Sequence, residues 1–555
     1  MRPAGRGELD SLYFEYPHFE PPDRPAAEPR RRVAIVGAGP VGLTAALALA
    51  AEGVPSLLLE RKATFNDGSR AICIARQSFH ILERLGALAP FLEKALPWTT
   101  GRSFYRGRQV LEFEMPDGPD EKFRPMYNLQ QQYIERFLWQ AASASPLVEI
   151  RWQSEVAGIA DRDGGVTLEV RDPAGSYAVT ADWLLAADGA RSPVRGMRNL
   201  RLQGENFEGR YVIADVRMAH DYPTIRRALF DPACNPGSTV LVHRQPEDIW
   251  RIDYQLPEGE SAEEATREEV VRDRVAAILG EIGHRGTWEL EWWSVYAANT
   301  LALADYRDGR VFFLGDAAHI VPIFGVRGLN NGIADAADIG WKLGRVVAGG
   351  AGEGLLASYT PERRDATLDV FANATKSTRF MTPPTRGWRL MRDAALGLAL
   401  RHDFARPFAN PRQMAPYTYA ASPLTADDDP AFDGAGPAPG SVLPNLRLAA
   451  GGFLSDRLGP GFTLLLFSAG AAAAEAMLRP LRARDPDLRL LCIGGAMPDA
   501  LHDPDGRIAA RFAAGPGSAW LVRPDMYIAG RWRQAEPAAV ASCLARLLDI
   551  AEVEQ

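Results

Sequence analysis

The sequence predicts an α/β protein with a mostly parallel sheet flanked by helices, an inserted sheet that is mostly antiparallel, and a separate C-terminal domain. Three observations predict this architecture. The segment RRVAIVGAGPVGLTAALALAAEGVPSLLLER changes from a buried strand (33–36) to a helix that begins near Pro40 and then to a second strand (56–59). Alternating strand patterns fill residues 204–298. A stretch rich in proline, aspartate and glycine at 411–445 then reads as a linker to a further domain.

The composition is that of a globular protein with a small-molecule partner. Of the 555 residues, 46% are hydrophobic, and the formal net charge of -8 offers no overall basic surface to nucleic acid or an anionic membrane. No apolar run reaches the ~20 residues that span a bilayer. Cys73, Cys234, Cys492 and Cys543 lie far apart without a CxxC, and nothing near His319 has metal-ligand spacing. We therefore expect no metal, no nucleic acid, no membrane insertion and a reducing cytoplasm.

The first nucleotide-binding signal is the order strand, GxGxxG, helix, strand, acid. The glycines are Gly37, Gly39 and Gly42, and the acid is Glu60, roughly 20 residues after them as the dinucleotide fingerprint of Rossmann-like domains requires. Gly37 permits the turn, Gly39 lets the backbone approach a pyrophosphate, and Gly42 allows helix and strand to pack. Because Glu60 can hold ribose hydroxyls and disfavours a 2′-phosphate, the motif predicts FAD or NAD rather than NADP at this site.

Two further strand ends carry an aspartate beside a glycine. The strand in ADWLLAADGARSPVRGMRNL ends in Asp188-Gly189, followed by Arg195 on a predicted helix. The stretch GRVFFLGDAAHIVPIFGVRGLNNGIADAADIGWKL passes from a strand through Gly315-Asp316 and three more glycines into a helix. Taken alone, such a pair more often marks a turn. Glycines beside a helix N-terminus also favour a negatively charged or phosphate-bearing ligand, because backbone NH groups can approach it closely.

All three signals together, in this order and spacing, resemble the single-component flavoprotein aromatic hydroxylases of the p-hydroxybenzoate hydroxylase type, over roughly residues 31–400. A C-terminal extension makes the chain most similar to the group that includes phenol hydroxylase and 3-(3-hydroxyphenyl)propionate hydroxylase. The resemblance implies a monooxygenase with non-covalent FAD that uses NADH or NADPH and O2. It would hydroxylate a small phenolic substrate through a flavin C4a-hydroperoxide, and it would form a homodimer.

The resemblance also implies roles for individual residues. Asp316 would bind the FAD ribityl chain, the Asp188 motif would serve both FAD and the passing nicotinamide, and the run Gly325–Asn330 would face the flavin ring. For Arg70 and Gln131, a surface ion pair or a solvated side chain is the alternative. The cofactor-binding residues implied beyond the first motif are Arg61, Arg70, Gln131, Asp188, Asp316, Gly328, Leu329 and Asn330.

Some positions depart from the family pattern and leave the substrate open. Many relatives have paired prolines where this chain has Pro322-Ile323, and often two glycines where it has Gly325-Val326. Pro322 and Gly325 are therefore assigned to a loop between flavin and substrate whose wall is altered. Where relatives that hydroxylate simple phenols can place an acid, this chain has Cys73 after Ile72. No protein acid or base is assigned, and the ring position and the choice of NADH or NADPH stay open.

The inserted sheet is expected to supply an apolar substrate pocket with a few oriented polar groups. Its strands include STVLVHR, IWRIDYQL and WELEWWSVYAAN. His243, Arg251 and Tyr254 are the candidates for those polar groups, although such residues on strands are more often surface or structurally paired. Trp292 and Trp293 are expected in the core or an interface, and His319 is expected to orient local backbone.

The patterns divide the chain into an N-terminal arm, a discontinuous FAD-binding domain, a substrate-binding sheet, a linker and a C-terminal domain. The strands after residue 460 resemble the thioredoxin-like domain of the phenol hydroxylase group. Because Cys492 and Cys543 cannot form a CxxC, we expect a structural or dimer-supporting role rather than dithiol exchange. The predicted bounds are 1–30 for the arm; 31–98, 127–203 and 299–405 for the FAD-binding domain with its helical part; 99–126 and 204–298 for the sheet; 406–436 for the linker; and 437–555 for the thioredoxin-like domain.

Other functions of the same fold stay open at this point, because fold alone does not fix chemistry. An FAD-dependent epoxidase, oxidase or halogenase would share the nucleotide motifs, although the WxWxIP stretch typical of the halogenases is absent. A disulfide reductase would need paired cysteines. A non-catalytic flavin-binding protein is the alternative from another class, and phenol-stimulated, oxygen-dependent consumption of reduced nicotinamide distinguishes it from the enzymes.

Overall fold

The computed structural model describes residues 1–25, 27–68, 70–162, 164–257, 259–322, 325–409, 415–495 and 500–550. Through residue 197 the elements are β1 (Arg31–Val36), α1 (Pro40–Ala51), β2 (Ser56–Leu59), β3 (Cys73–Ala75), α2 (Arg76–Arg84), α3 (Ala89–Lys94), β4 (Leu96–Trp98), β5 (Thr100–Tyr105), β6 (Arg108–Glu114), β7 (Met126–Asn128), α4 (Gln131–Ala144), β8 (Val148–Arg151), β9 (Glu155–Arg162), β10 (Gly165–Asp172), β11 (Gly175–Ala186) and α5 (Pro193–Met197). Next come β12 (Gln203–Arg217), β13 (Arg226–Phe230), β14 (Thr239–Arg244), β15 (Ile249–Gln255), α6 (Ala262–Ala265), α7 (Glu268–Glu281) and β16 (Glu289–Ala302). The third stretch contains β17 (Arg307–Asp308), β18 (Val311–Phe313), the 3₁₀ turn Gly315–Ala317, β19 (His319–Ile320), α8 (Gly328–Val347), α9 (Tyr359–Met381) and α10 (Arg386–Ala399). The last contains β20 (Thr463–Phe467), α11 (Ala471–Arg482), β21 (Arg489–Ile493), α12 (Arg507–Phe512), β22 (Ala519–Val522), β23 (Ile528–Trp532) and α13 (Pro537–Leu547).

The sheet that carries the glycine motif has β1 near its centre. Its strand order is β17-β18-β11-β1-β2-β8, and β1 pairs in parallel with both β2 and β11. The antiparallel strands β10 and β9 continue from β11. Parallel strands are covered on both faces, which explains why β1 and β2 are continuous apolar runs. The predicted strand, helix and strand around the glycines are therefore present.

Helix α1 is buried along most of its length because it lies between this sheet and helix α8. The contact depends on glycines: a Cβ built on Gly340 would lie 2.2 Å from Ala48 Cβ, and one built on Gly332 would lie 2.6 Å from a methyl of Val41. Without side chains at these positions the two backbones approach closely. The N-terminus of α8 is thereby held beside the N-terminus of α1.

The inserted sheet has the order β19-β16-β12-β15-β14-β13-β5-β6 and is antiparallel except where β13 pairs with β5. In β15, Trp250, Ile252 and Tyr254 belong to an apolar cluster with residues of α7. Because side chains alternate along a strand, Arg251 and Asp253 project from the opposite face. We call this opposite face, which lies against the first sheet's domain, the inner face.

The C-terminal part forms its own sheet in the order β21-β20-β22-β23, with β20 parallel to β21 and antiparallel to β22. Cys492 on β21 and Cys543 on α13 are both buried free thiols, and burial raises the pKa of each. Raised thiol pKa values oppose formation of the reactive thiolate.

The N-terminal arm lies on the protein surface and contacts both of the larger sheets. Arg2 bonds Glu291 on β16 at 2.7 Å and Asp67 at 2.8 Å. Further along, Phe19 stacks on Trp152 with ring centroids 4.2 Å apart. Among the helices that the structure describes, none has the length and apolar character needed to cross a bilayer.

Candidate cofactor and substrate site

The glycine loop between β1 and α1 combines tight packing with one open position. A Cβ on Gly37, whose φ is +104°, would lie 2.5 Å from the carbonyl oxygen of Ala187, and one on Gly42 would lie 1.9 Å from that of Gly37. Packing therefore requires both glycines. A Cβ on Gly39 would have no neighbour within 4 Å, so open space borders the backbone there. Helix α1 starts at this point with no acid in its first turn and no capping side chain, which leaves NH groups for an anion.

Glu60 lies at the end of β2 and holds the glycine loop. Its carboxylate accepts hydrogen bonds from the backbone NH of Ala38 at 2.8 Å and of Lys62 at 2.9 Å. A carboxylate has about four acceptor sites, so these two bonds leave capacity for ribose hydroxyls. Arg61 follows it with an exposed side chain.

The Asp188 and Asp316 segments follow the neighbouring parallel strands β11 and β18 and meet at their carboxyl ends. Arg195 joins them, because its guanidinium donates to the carbonyl oxygens of Ala317 at 3.0 Å and Ala190 at 2.7 Å. Asp188 Oδ2 accepts from the NH of Val194 at 3.0 Å, whereas its Oδ1 is buried without a partner among the described residues. Burial also raises the pKa of the Asp188 carboxyl. A buried acceptor without a partner indicates a missing ligand or water.

Asp316 borders a recess between these segments. Its side chain is exposed to solvent, yet the surrounding protein desolvates its carboxyl. This desolvation raises the pKa of the Asp316 carboxyl, and nearby His319, Arg70 and Arg195 oppose the rise. Arg70, itself exposed, therefore lies in the electrostatic field of the same recess as Arg195 and Asp316.

The glycine run ends in the N-terminus of α8, which begins at Gly328. Gly325 and Val326 both have left-handed backbone, with φ of +93° and +62°. A pair of glycines adopts that backbone freely, whereas a β-branched residue such as Val326 is strained in it. The first turn of α8 contains no acid and no side-chain cap, so the NH groups of Gly328 and Leu329 are open to a negatively charged group. Pro322 precedes this loop, and Ile323 lies outside the described residues.

The side chain of Asn330 serves the fold. Its Oδ1 accepts from the NH of Ala75 at 2.8 Å and the hydroxyl of Ser78 at 2.7 Å, and its Nδ2 donates to the carbonyl of Val326 at 2.8 Å. Asn330 thus fixes the glycine run against the segment β3–α2. Its predicted contribution to cofactor binding is therefore confined to its backbone NH.

Gln131 and His319 also position backbone. Gln131 accepts from the NH of Ala71 at 3.1 Å, which holds the segment containing Arg70 against α4. His319 Nε2 lies 2.6 Å from Asp335 Oδ2, and the same oxygen accepts from the NH of Gly315 at 2.9 Å. Although burial favours the neutral acid, His319 and Arg363 hold the pKa of the Asp335 carboxyl below its usual range. The expectation that His319 orients local backbone agrees with this arrangement.

On the inner face of the inserted sheet, His243 lies directly opposite Arg251, and Arg251 lies directly opposite Asp215. Arg251 binds both oxygens of Asp215, at 2.8 and 3.0 Å, and donates to the carbonyl oxygen of Arg70 at 3.1 Å. Two of the three predicted substrate residues are therefore brought together beside the segment that borders the recess of Asp316.

Tyr254 is not brought to this face. It packs in the apolar cluster on the α7 side of the sheet, and the guanidinium of Arg274 lies 5.8 Å from its ring centre. As the neighbour of Asp253 on the same strand, it must project the other way. Trp293 shares the apolar cluster with Tyr254, as expected of a core residue, whereas Trp292 is buried against Gly68.

Arg226 and Asp253 are inner-face residues that sequence reasoning missed. Arg226 retains 4% and Asp253 8% of its surface exposed, yet neither makes a side-chain hydrogen bond within the described part of the chain. His243, 5% exposed, is likewise without a partner for its buried Nδ1. Three neighbouring polar side chains without partners mark a position for a ligand.

The arrangement fits FAD. The open space at Gly39, the uncapped starts of α1 and α8 and the unpartnered Asp188 oxygen lie together beyond the carboxyl ends of β1 and β11, and we call this region the cofactor cleft. Gly39 and α1 would receive its pyrophosphate, Glu60 its adenosine ribose, Asp316 its ribityl chain and the start of α8 its flavin ring.

Comparison with known proteins gives matches over most of the chain. The sequence model of the FAD binding domain family matches residues 30–374. The 3-(3-hydroxy-phenyl)propionate/3-hydroxycinnamic acid hydroxylase of Mycolicibacterium smegmatis is 28% identical over 529 residues, which cover 90% of each chain.

Two solved structures share the fold. The flavin-dependent monooxygenase PieE, solved with FAD and substrate, is 26% identical with a TM-score of 0.79 and covers 94% of this chain and all of its own. Aklavinone-11 hydroxylase, solved with FAD and aklavinone, has a TM-score of 0.77 with the same coverage; at 23% identity it supports the fold alone.

Proposed function

Since the chain belongs to the FAD binding domain family and its predicted resemblance to flavin-dependent aromatic hydroxylases is confirmed, we propose that it hydroxylates a phenolic ring with FAD, NADH or NADPH, and O2. One observation carries the proposal. Arg251, on the inner face of the inserted sheet, donates at 3.1 Å to the backbone of Arg70, beside the recess of Asp316. The face with unpartnered polar groups therefore adjoins the cofactor cleft.

When bound, FAD would supply the redox chemistry by which a hydride from the nicotinamide and O2 hydroxylate the ring, with one oxygen atom entering the ring and the other leaving as water. The chain supplies binding, orientation and exclusion of water. Uncapped NH groups at the start of α8 stabilise negative charge near the flavin ring. The inner face orients the phenol, and the surrounding sheet limits access of water to the reacting atoms.

The nicotinamide would bind transiently. The chain has one GxGxxG motif, which FAD would occupy. Arginines of the Asp188–Arg195 segment can meet the phosphates of the hydride donor. Arg191 is exposed there, while Arg195 keeps the segment attached to Ala317.

For the C-terminal domain we propose a thioredoxin-like fold without redox activity, acting in assembly of a homodimer in the cytoplasm. The mixed sheet β21-β20-β22-β23 with its flanking helices supports that fold. The buried thiols Cys492 and Cys543 support the structural role, because burial raises the pKa of both.

A panel of phenols and phenolic acids tests the function. Purified FAD-bound protein is mixed with NADH or NADPH, and consumption of the nicotinamide and O2 is followed with analysis of the products. We expect slow consumption alone and strong stimulation by the right phenol, and anaerobic reduction of the flavin should be accelerated by the same phenol. If no phenol stimulates consumption, the alternative of a non-catalytic flavin-binding protein is favoured.

A further inference from the structure

Three buried polar side chains of the inner face have no role in the cofactor cleft. Arg226 on β13, His243 on β14 and Asp253 on β15 come from successive strands. Arg226 Nη1, His243 Nδ1 and Asp253 Oδ1 are each buried without a hydrogen-bond partner in the described chain. Leaving such a buried group without a hydrogen-bond partner is unfavourable, and more so when the group is charged. Three in one place indicate that a ligand completes them.

The strand register places these groups around a common point. Asp253 pairs with Leu241, and Arg251 pairs with His243, so His243 and Asp253 are diagonal neighbours. Diagonal neighbours are separated by roughly 7–8 Å, enough for a ligand oxygen to lie between the side chains. On the next strand, β13, Arg227 pairs with Val242 of β14. Arg226, the residue before Arg227, therefore lies opposite His243, on the side of His243 away from β15.

The opposite wall is apolar and borders the start of α8. Cys73 on β3 belongs to a cluster with Trp98 and Met126, against which Val326 of the glycine run packs. Burial raises the pKa of the Cys73 thiol to about 12, while Arg226 and Arg251 act to lower it, so the thiol faces the inner-face cations. An aromatic ring between this wall and the inner face would direct one polar substituent at the unpartnered groups.

We propose that Asp253 accepts the proton of the substrate's phenolic hydroxyl and that Arg226 holds the phenolate oxygen. The inference rests on the proposed function, because it assigns a base to that reaction. The phenolic O–H bond breaks, its proton moves to the Asp253 carboxylate, and the electron pair stays on the phenolic oxygen beside the guanidinium. The ring becomes more electron-rich and hence more reactive toward an electrophilic oxygen atom. The substrate class is thus a phenol that arrives protonated and reacts as its anion.

The surroundings favour Asp253 over its neighbours as the base. Burial raises the pKa of the Asp253 carboxyl to about 7. The positive charge of Arg251 opposes this rise, the negative charge of Asp215 adds to it, and the positive charge of Arg226 opposes it. A base with this pKa operates near neutral pH. Burial, with Arg226 and Arg251, lowers the pKa of His243 well below its usual range, so its neutral ring is a weak base. Asp215 is already bound by Arg251 through both oxygens, and Cys73 is a protonated thiol.

The first test compares two classes of phenol. For a phenol that is protonated at the assay pH, Asp253→Asn should lower kcat roughly 100-fold or more, the usual range for loss of a general base. For a nitrophenol or fluorophenol already ionised at that pH, the same variant should stay within about threefold of the wild type, because no proton needs to be removed. Asp253→Glu should keep part of the rise of kcat/KM with pH. Equal losses with both phenols would show a structural role and overturn the proposal.

Tyr254→Phe is the matched control. Tyr254 is the next residue on the same strand, its buried hydroxyl also has no partner among the described residues, and its side chain lies on the α7 side. We expect it to behave as the wild type with both phenols. Flavin absorbance of every variant checks that the fold and cofactor binding are intact.

The second test uses binding alone and distinguishes failure of the inference from failure of the function. A nitrophenol whose absorption band moves to longer wavelength on ionisation is titrated into oxidised FAD-bound protein below the nitrophenol's solution pKa. The wild type should bind it as the anion, and Arg226→Gln should weaken binding and lose the anion band. Anion binding without turnover of any phenol would refute the function and support the site. If the wild type turns over a phenol and its Asp253→Asn and Arg226→Gln variants behave like Tyr254→Phe, the site is refuted and the function is not. Absence of the anion band in the wild type would also refute the site alone.

Discussion

At the scale of single residues, Gly39 is predicted to be needed for the ligand and dispensable for the fold. A side chain there would have no protein neighbour within 4 Å, but it would project where the pyrophosphate is proposed to lie. We therefore expect Gly39→Glu to fold normally and to lose most of its FAD by steric and charge repulsion. Absorbance of the purified protein measures the flavin. Gly118, exposed and equally open, gives the control Gly118→Glu, which should remain yellow. A Gly39→Glu protein with full flavin content would contradict the assignment of this motif.

Asp253 should make the ligand-free protein's stability depend on pH. Burial raises the pKa of Asp253 to about 7, so the folded protein keeps a proton that the unfolded chain loses. The contribution of Asp253 to stability should therefore fall as pH rises from about 4 to about 7. Asn at this position stays neutral. The denaturation midpoint of Asp253→Asn should exceed that of the wild type by more at pH 8 than at pH 4.5, and an equal difference at both values would argue against a raised pKa.

At the scale of elements, the crossing of α1 and α8 positions both helix N-termini at the proposed cofactor cleft. A Cβ on Gly340 would lie 2.2 Å from Ala48 Cβ, with Ala48 backbone atoms no nearer than 3.3 Å. Gly340→Ala should therefore cost about 1–3 kcal/mol as overpacking and reduce FAD retention. Removing the opposing methyl in Gly340→Ala/Ala48→Gly should recover part of the loss, giving a double-mutant coupling in denaturation experiments. Strict additivity of the two substitutions would show that this contact does not hold the helices.

The elements differ in how far the sequence could predict them. The segment β1–α1–β2 was predictable because its periodicity changes at glycines whose spacing has a local cause. The inner face of β15 was not. In IWRIDYQ, Arg251 and Asp253 alternate with Trp250, Ile252 and Tyr254, a pattern that normally means one solvated face, yet all five residues are buried.

 The inner face, which would otherwise meet water, is buried because the domain of the first sheet covers it. Burial on both faces depends on contacts between distant segments, which no local pattern shows.

Single ionisable residues were hard to assign for a related reason. Arg251 is predicted at the substrate, and in the structure its guanidinium binds Asp215 and the backbone of Arg70. Arg226 and Asp253 were missed because a lone charged residue on a strand is more often exposed. The usable signal was joint: ionisable residues at the same alternate positions of three successive strands.

At the scale of the whole molecule, a buried ionic network joins the C-terminal domain to α8 and α9. Lys342 binds Asp338 at 2.8 Å and Glu362 at 2.6 Å, and Arg523 also binds Glu362, at 2.9 Å, and reaches Asp525. Although burial favours the neutral acid, Arg523 and Lys342 hold the pKa of Glu362 well below its usual range. These partners are far apart in sequence, so the docking of the domain was not predictable from local patterns.

Removing one cation from this network should be strongly destabilising. Arg523→Met removes one of the two cations that bind the buried carboxylates of Asp338 and Glu362 among the described residues and leaves Lys342 alone with both. We expect a loss of about 3–5 kcal/mol in the free energy of unfolding, smaller at low pH where the carboxylates can protonate. Urea denaturation followed by tryptophan fluorescence measures it. Arg447→Met is the control, because Arg447 also joins the C-terminal domain to an earlier part of the chain, through the carbonyl of Pro119, but is exposed. It should change stability by less than about 0.5 kcal/mol. Equal effects of the two substitutions would mean that the network does not secure the domain.

The central claim is that the molecule inserts one atom of O2 into a phenolic ring, and isotope labelling tests it most directly. The FAD-bound protein is supplied with NADH or NADPH, a phenol that stimulates their consumption, and ¹⁸O-labelled oxygen gas, and the product is analysed by mass spectrometry. The account predicts a catechol or hydroquinone that carries one labelled oxygen atom on the ring. Label that enters from water, or consumption of the phenol without ring oxygenation, would contradict it and favour an oxidase or epoxidase of the same fold.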